Sequence, residues 1–121
     1  MIKVIGLVTR NPKVSPEEFR RYWEEVHVPL IHSMLPGLVK YIGSFRLNPE
    51  GGVDPATEIV GCDLVIELGF PDLETMQRDF SSDAYLYGKR TESGAYFMDL
   101  ASIRSVLVEE VDVSDARSAR R

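Results

Sequence analysis

Three observations predict an α+β fold. Four segments carry strand-like apolar patterns, two segments carry helical periodicity, and they follow one another as β-α-β-β-α-β. That order builds a four-stranded antiparallel sheet with helices on one face. The chain has 121 residues, 44% hydrophobic and 27% charged, ordinary values for one globular domain. A chain of this size can hold a core without disulfides or a metal. The domain is expected over residues 1–111, with 112–121 as a flexible tail ending in DARSARR.

The first strand is read over residues 2–9, where Ile2, Val4, Ile5, Leu7 and Val8 form a nearly continuous apolar run. Asn11 and Pro12 end it. Ser15 is the expected N-cap of the first helix, Pro16 suits its first position, and Glu18 completes a capping box. Phe19, Tyr22, Trp23, Val26 and Leu30 form one stripe at helical spacing. Pro29 predicts a kink or break followed by one more turn, and Pro36-Gly37 ends the element.

Residues 38–47 alternate as a second strand, with Val39, Tyr41, Gly43, Phe45 and Leu47 on one side and Lys40, Ile42, Ser44 and Arg46 on the other. The stretch NPEGGVDPATE is a loop. A third strand is expected over 59–68, with Val60, Cys62, Leu64, Ile66 and Leu68 on one face and Ile59, Asp63, Val65 and Glu67 on the other. Asp72 caps a second helix carrying Leu73, Met76 and Phe80. Gly88 and Gly94 interrupt the stretch SSDAYLYGKRTESGAYFMD, which leaves a short helix near 83–92, and 102–111 is the last strand. This is the ferredoxin-like pattern. Two helices cover one face only, yet strands one and three are apolar on both. The expected cover is a second copy of the sheet, in a homodimer.

Composition narrows the function classes. A net charge of −5, from 19 acidic and 14 basic residues, argues against a nucleic-acid footprint. No apolar run approaches the roughly 18–20 residues of a membrane span, and the N-terminus lacks the zones of a secretory signal. One cysteine excludes an intramolecular disulfide. A cytoplasmic location is expected. There is no Walker or G-x-G-x-x-G loop and no nucleophile elbow.

His27 is the first catalytic candidate. It projects ~60–70° from the centre of the apolar stripe, at the margin of the core, where a pocket can open. An imidazole with an ordinary pKa near ~6.5 exchanges protons at neutral pH. The alternative is a structural histidine capping a carbonyl at the Pro29 kink. His32, five residues on, points roughly 140° away, so the two are poor joint metal ligands. With two histidines and Cys62 there is no zinc set, and no metal or cofactor is expected.

Tyr22, Trp23, Tyr41 and Phe45 suit either a pocket wall or an ordinary core. Asp63 could orient His27 or act as a second acid or base; it could equally face solvent or pair with Arg104. Arg46, on a strand face with Ile42 and Ser44, is a candidate substrate contact.

The segment SPEEFRRYWEEVHVPLIHSMLPGLVKYIGSFRL, residues 15–47, resembles the EthD family of dimeric α/β-barrel proteins. The matching features are Phe19, Trp23, His27-Val28-Pro29-Leu30, Leu35-Pro36-Gly37-Leu38 and Tyr41. The resemblance implies a ferredoxin-like subunit that dimerises through its sheets, with a pocket between sheet and helices. The family is named for an accessory role in ether degradation beside a monooxygenase system. Similar proteins act as small lyases, dehydratases or isomerases, and related barrels include cofactor-free monooxygenases; some bind haem. The resemblance strengthens His27 and Tyr41 as site residues. It implies a cofactor-independent enzyme acting on a small apolar oxygenated or aromatic substrate. The alternatives are an accessory or carrier protein for an oxygenase system, or a dimeric interaction module without a ligand.

Overall fold

The computed structural model describes residues 1–47 and 61–115. The predicted loop at 48–58, the first two residues of the predicted third strand and residues 116–121 of the tail lie outside the described residues. Strands β1 (Ile2–Val8), β2 (Lys40–Phe45), β3 (Leu64–Phe70) and β4 (Arg104–Glu109) form one sheet in the order β2-β3-β1-β4. Every pairing is antiparallel, with Gly6 opposite Ile66 and Ser105, and Gly43 opposite Ile66. The helices α1 (Pro16–Tyr22), α2 (Val28–Met34), α3 (Leu73–Phe80), α4 (Asp83–Tyr87) and α5 (Arg90–Phe97) pack on one face. This is the predicted ferredoxin-like α+β arrangement.

The local signals act largely as expected. The Ser15 hydroxyl accepts from the Glu18 N–H at 3.1 Å, and Asp72 accepts from the Thr75 N–H at 2.8 Å. The reciprocal half of the capping box does not form. Glu18 instead takes two bonds from Arg21 and one from the Tyr96 hydroxyl at 2.6 Å. These partners, Arg21 first, hold its carboxyl down at about 2.

Pro29 neither breaks the chain nor ends the helix. Residues Trp23–His27 widen into a π-helical turn, closed by the Val28 N–H on the Trp23 carbonyl. Proline cannot donate, and in a regular α-helix its ring collides with the carbonyl one turn back. An i→i+5 turn separates the two. The wide turn also resets the helical wheel. In a plain α-helix each i+4 step drifts about 40°, so Phe19, Trp23, His27 and Ile31 would spiral off one face. Here all four are buried. Val26, placed on the apolar stripe by its spacing, is 39% exposed instead.

Several boundaries differ from expectation. β2 runs Lys40–Phe45 rather than 38–47. β3 runs Leu64–Phe70 rather than 59–68. Its alternation continues through Gly69 to Phe70, which is wholly buried against Phe80. The segment after α3 forms two helices, not one. Gly88 separates them as predicted, but Gly94 lies inside α5, where a Cβ would meet Met98 at 2.8 Å. β4 is shorter than 102–111 because a 3-10 turn, Leu100–Ser102, capped by Asp99, precedes it.

The helix-facing side of the sheet carries Val4, Val8, Tyr41, Phe45, Leu64, Ile66, Leu68 and Phe70 in two core clusters. The register places Ile5, Leu7, Ile42, Val65, Val106 and Val108 on the outer face. Lys3 lies among them, bonded to Glu67 at 2.9 Å and to Glu110. Among the described residues, no helix is long and apolar enough to cross a membrane.

Trp23 seats the long helix on the sheet. Its ring lies against the backbone of Gly43, where a Cβ would sit 2.3 Å from the ring edge. Tyr41 and Phe45 meet it edge-on, at 5.6 and 5.5 Å between centroids. Gly43→Ala must push the indole outward and is expected to cost about 1–3 kcal/mol. Urea unfolding of the variant checks this; an unchanged midpoint would show that the indole does not need the missing Cβ.

Candidate active site

Between the sheet and the helices lies a cavity of about 220 Å³. Val4, Gly6, Ile66 and Leu68 form its floor, His27, Ile31 and Tyr41 one wall, and Phe80, Tyr85, Arg90 and Thr91 another. Leu100, 38% exposed, and the exposed Ser105 mark its open side beside the edge strand β4. A cavity of about 150 Å³ accommodates benzene. This one suits a single ring with one or two substituents.

His27 is 6% exposed and sits in the π turn. Its Nδ1 is 2.9 Å from the Ser93 hydroxyl, which is 3.2 Å from the Tyr22 hydroxyl. The Phe97 ring lies 4.9 Å from the imidazole. No hydrogen-bond partner of Nε2 occurs among the described residues. Yet no buried side-chain nitrogen or oxygen among them lacks one. Nε2 therefore reaches open space, and the cavity is the void that His27 lines. Burial lowers the pKa of His27 to about 4, so the ring is neutral at pH 7. Burial also pushes the Tyr41 phenol well above its ordinary value, so Tyr41 stays protonated and can donate.

The hydrogen bonds around Ser93 can run in two directions. If Tyr22 donates to Ser93 and Ser93 donates to Nδ1, the proton of His27 sits on Nε2 and faces the cavity. If the chain reverses, Nε2 presents its lone pair. The same three groups therefore support an acid or a base at one point.

The sequence-derived candidates separate into two places. His27 and Tyr41 share the cavity. Tyr22 stands behind it, touching His27 only through Ser93. It lines a wider surface groove of about 620 Å³ with Val26, Leu30, Lys89, Glu92 and Tyr96. That groove is open and lies on the outer side of Ser93, so the enclosed space at His27 is the better candidate site. Trp23 is core: it packs on Gly43 and Tyr41 and does not line the cavity.

Asp63 and Arg46 are elsewhere. Asp63 accepts from the Arg10 N–H at 2.7 Å, just before β3, and Arg46 reaches the Cys62 carbonyl at 3.4 Å. Both line a shallow surface depression with Pro16, Arg20 and Leu47. The orienting partner of His27 is Ser93, not Asp63. Asp63 does not pair with Arg104 either, whose guanidinium bonds the Ile103 carbonyl at 2.8 Å. The reason is register: Asp63 precedes β3, at the sheet end bordered by Thr9 and Arg10.

Two cavity residues, Arg90 and Tyr85, escaped the sequence reading, and so did Ser93, the partner of His27. All lie in the glycine-interrupted stretch after α3, where the sequence predicts one short helix near 83–92. A signal existed in α5, where Ser93, Gly94 and Phe97 are the buried positions at i, i+1 and i+4. His32 is exposed, 5.5 Å from the Tyr41 ring. Among the described residues no three His, Cys, Asp or Glu side chains cluster to hold a metal.

Comparison with known proteins places this geometry in context. An EthD domain model matches residues 11–101. No curated protein sequence matches. An ethyl tert-butyl ether degradation (EthD) family protein from Bacillus halodurans has a similar solved structure, with 20% identity, a TM-score of 0.66, and coverage of 92% of this chain and 99% of that one. A hydroxynitrile lyase from Passiflora edulis is 12% identical, with a TM-score of 0.65 over 92% of this chain and 95% of that one. SnoaB, a cofactor-independent oxygenase from Streptomyces nogalater, is 12% identical, with a TM-score of 0.59 over 92% and 93%. At these identities the structural likeness speaks for the fold alone. The family match spans most of the chain, and the protein belongs to the EthD family.

Proposed function

We propose that the protein is a cofactor-independent enzyme acting on a small apolar oxygenated or aromatic molecule, with His27 as general acid and base. One observation carries this reading: a buried imidazole, bonded at Nδ1 to Ser93, lines an apolar cavity, which leaves Nε2 for a ligand. Proton abstraction beside a carbonyl charges the ring in a site that disfavours charge. An oxyanion developing next to it offsets that cost, so the imidazolium is stabilised mainly as the reaction proceeds. Tyr41, a half-buried phenol that stays protonated, lines the same cavity and can donate to such an oxygen. The solved structures of similar fold include a lyase and a cofactor-independent oxygenase, which supports enzymatic use of such a pocket.

The same ring favours a second reading. His27 is buried and hydrogen-bonded in the way a purely structural histidine would be. A carrier or accessory protein that holds an apolar metabolite for an oxygenase system needs the cavity but not the proton transfer. In either case the apolar outer face is proposed to close against a second copy, giving a homodimer.

Two outcomes test this account. In D2O, the protein is expected to accelerate deuterium uptake at the acidic carbon of phenylacetone, and His27→Gln to slow it by about 100-fold. Equal uptake with both proteins would leave the carrier reading. Second, the folded pKa of His27 lies below its unfolded value. Its contribution to stability is therefore complete above pH 6.5 and is lost as pH falls towards about 4. The loss is expected to reach about 3 kcal/mol. Urea midpoints across that range should show the slope in the native protein and not in His27→Gln; parallel curves would mean the ring is not held neutral.

A further inference from the structure

Arg90 contributes a cation to the cavity wall, and the proton-transfer reading makes no use of it. It opens α5. Its Nε donates to the Tyr85 carbonyl at 2.8 Å, and its guanidinium carbon lies 4.0 Å from the centre of the Tyr85 ring. These contacts fix the plane of the guanidinium but use one of its five N–H donors. Among the described residues no carboxylate pairs with Arg90, and the two Nη groups have no acceptor. The surface arginines of α1 differ: Arg20 and Arg21 are both paired with glutamates on their own helix. Arg90 is half-buried, and its Nη groups remain reachable from the cavity, so an anion entering there meets a cation with no carboxylate partner among the described residues. Thr91 and Ser105 bring hydroxyls to the same space, and burial raises the pKa of the Tyr85 phenol, which therefore remains a donor.

We propose that Arg90 is the recognition site for the carboxylate of a small, ring-sized organic acid. The carboxylate occupies the Nη groups, and the apolar body lies against Ile31, Ile66 and Leu68 within reach of His27. A planar, pre-fixed guanidinium matches two carboxylate oxygens better than a single point charge does. This assignment rests on the cavity being the ligand site and goes further by naming the charge of the ligand.

Calorimetry with benzoate and benzamide tests it, because the two probes share a shape and differ in charge. The native protein is expected to bind benzoate at least about tenfold more tightly than benzamide, as charged hydrogen bonds imply. Arg90→Gln should abolish the preference, and Arg90→Lys should keep part of it. Equal binding of both probes by the native protein overturns the proposal and leaves the cavity reading standing, as does a preference that survives in Arg90→Gln. Binding of neither probe overturns both. If Arg90→Gln fails to fold, the native comparison and Arg90→Lys decide.

Discussion

The hydrogen bond from the Val28 N–H to the Trp23 carbonyl is the constraint on which the site depends. It closes the one wide turn in an otherwise α-helical run and holds four side chains at i+4 intervals on the sheet side. Trp23 anchors that turn on Gly43, His27 reaches the cavity, and Ile31 forms its wall. With regular α-helical geometry and the same residues, His27 would rotate towards the margin that the sequence periodicity assigned to it. A proline two residues after the histidine favours the wider geometry. Backbone chemistry at Pro29 and side-chain chemistry at His27 are thus one arrangement.

Burial and hydrogen bonding then determine what the imidazole can do. The low-dielectric surroundings keep it neutral, and Ser93 fixes Nδ1. A neutral ring with one nitrogen committed has a single nitrogen left for chemistry. Because the Ser93 and Tyr22 hydroxyls can reverse their donation, that nitrogen can serve as donor or acceptor without movement of the ring. The floor of the cavity contributes shape rather than charge: Gly6 leaves room where a side chain would otherwise press on Ile66.

Much of the fold was legible in the sequence. The alternation in β2, the apolar run of β1, and the caps at Ser15 and Asp72 are local signals, and the structure uses them locally. Asp63 and Ser93 show where legibility ended. Asp63 shares a strand pattern with Glu67, which left it equally able to orient His27, face solvent or pair with Arg104, but the strand begins one residue later and its carboxylate ties down the Arg10 backbone. Ser93 is 66 residues from His27, and nothing in a single sequence pairs them. Arg90 was hidden for a related reason: its helix begins after Gly88, and the glycines there obscured the periodicity that would have put it on the cavity side. The π turn was missed because a wheel at 3.6 residues per turn cannot represent it.

The central claim is that the Nε2 of His27 faces a ligand cavity while its Nδ1 is committed to Ser93. Nitrogen-15 NMR of the histidine rings, with and without phenylacetone, tests it most directly. The account predicts a neutral His27 whose Nε2 resonance moves on ligand addition while His32 is unaffected, and whose Nδ1 resonance differs between the native protein and Ser93→Ala. A His27 ring whose Nε2 ignores the ligand, or that is charged at neutral pH, would contradict it.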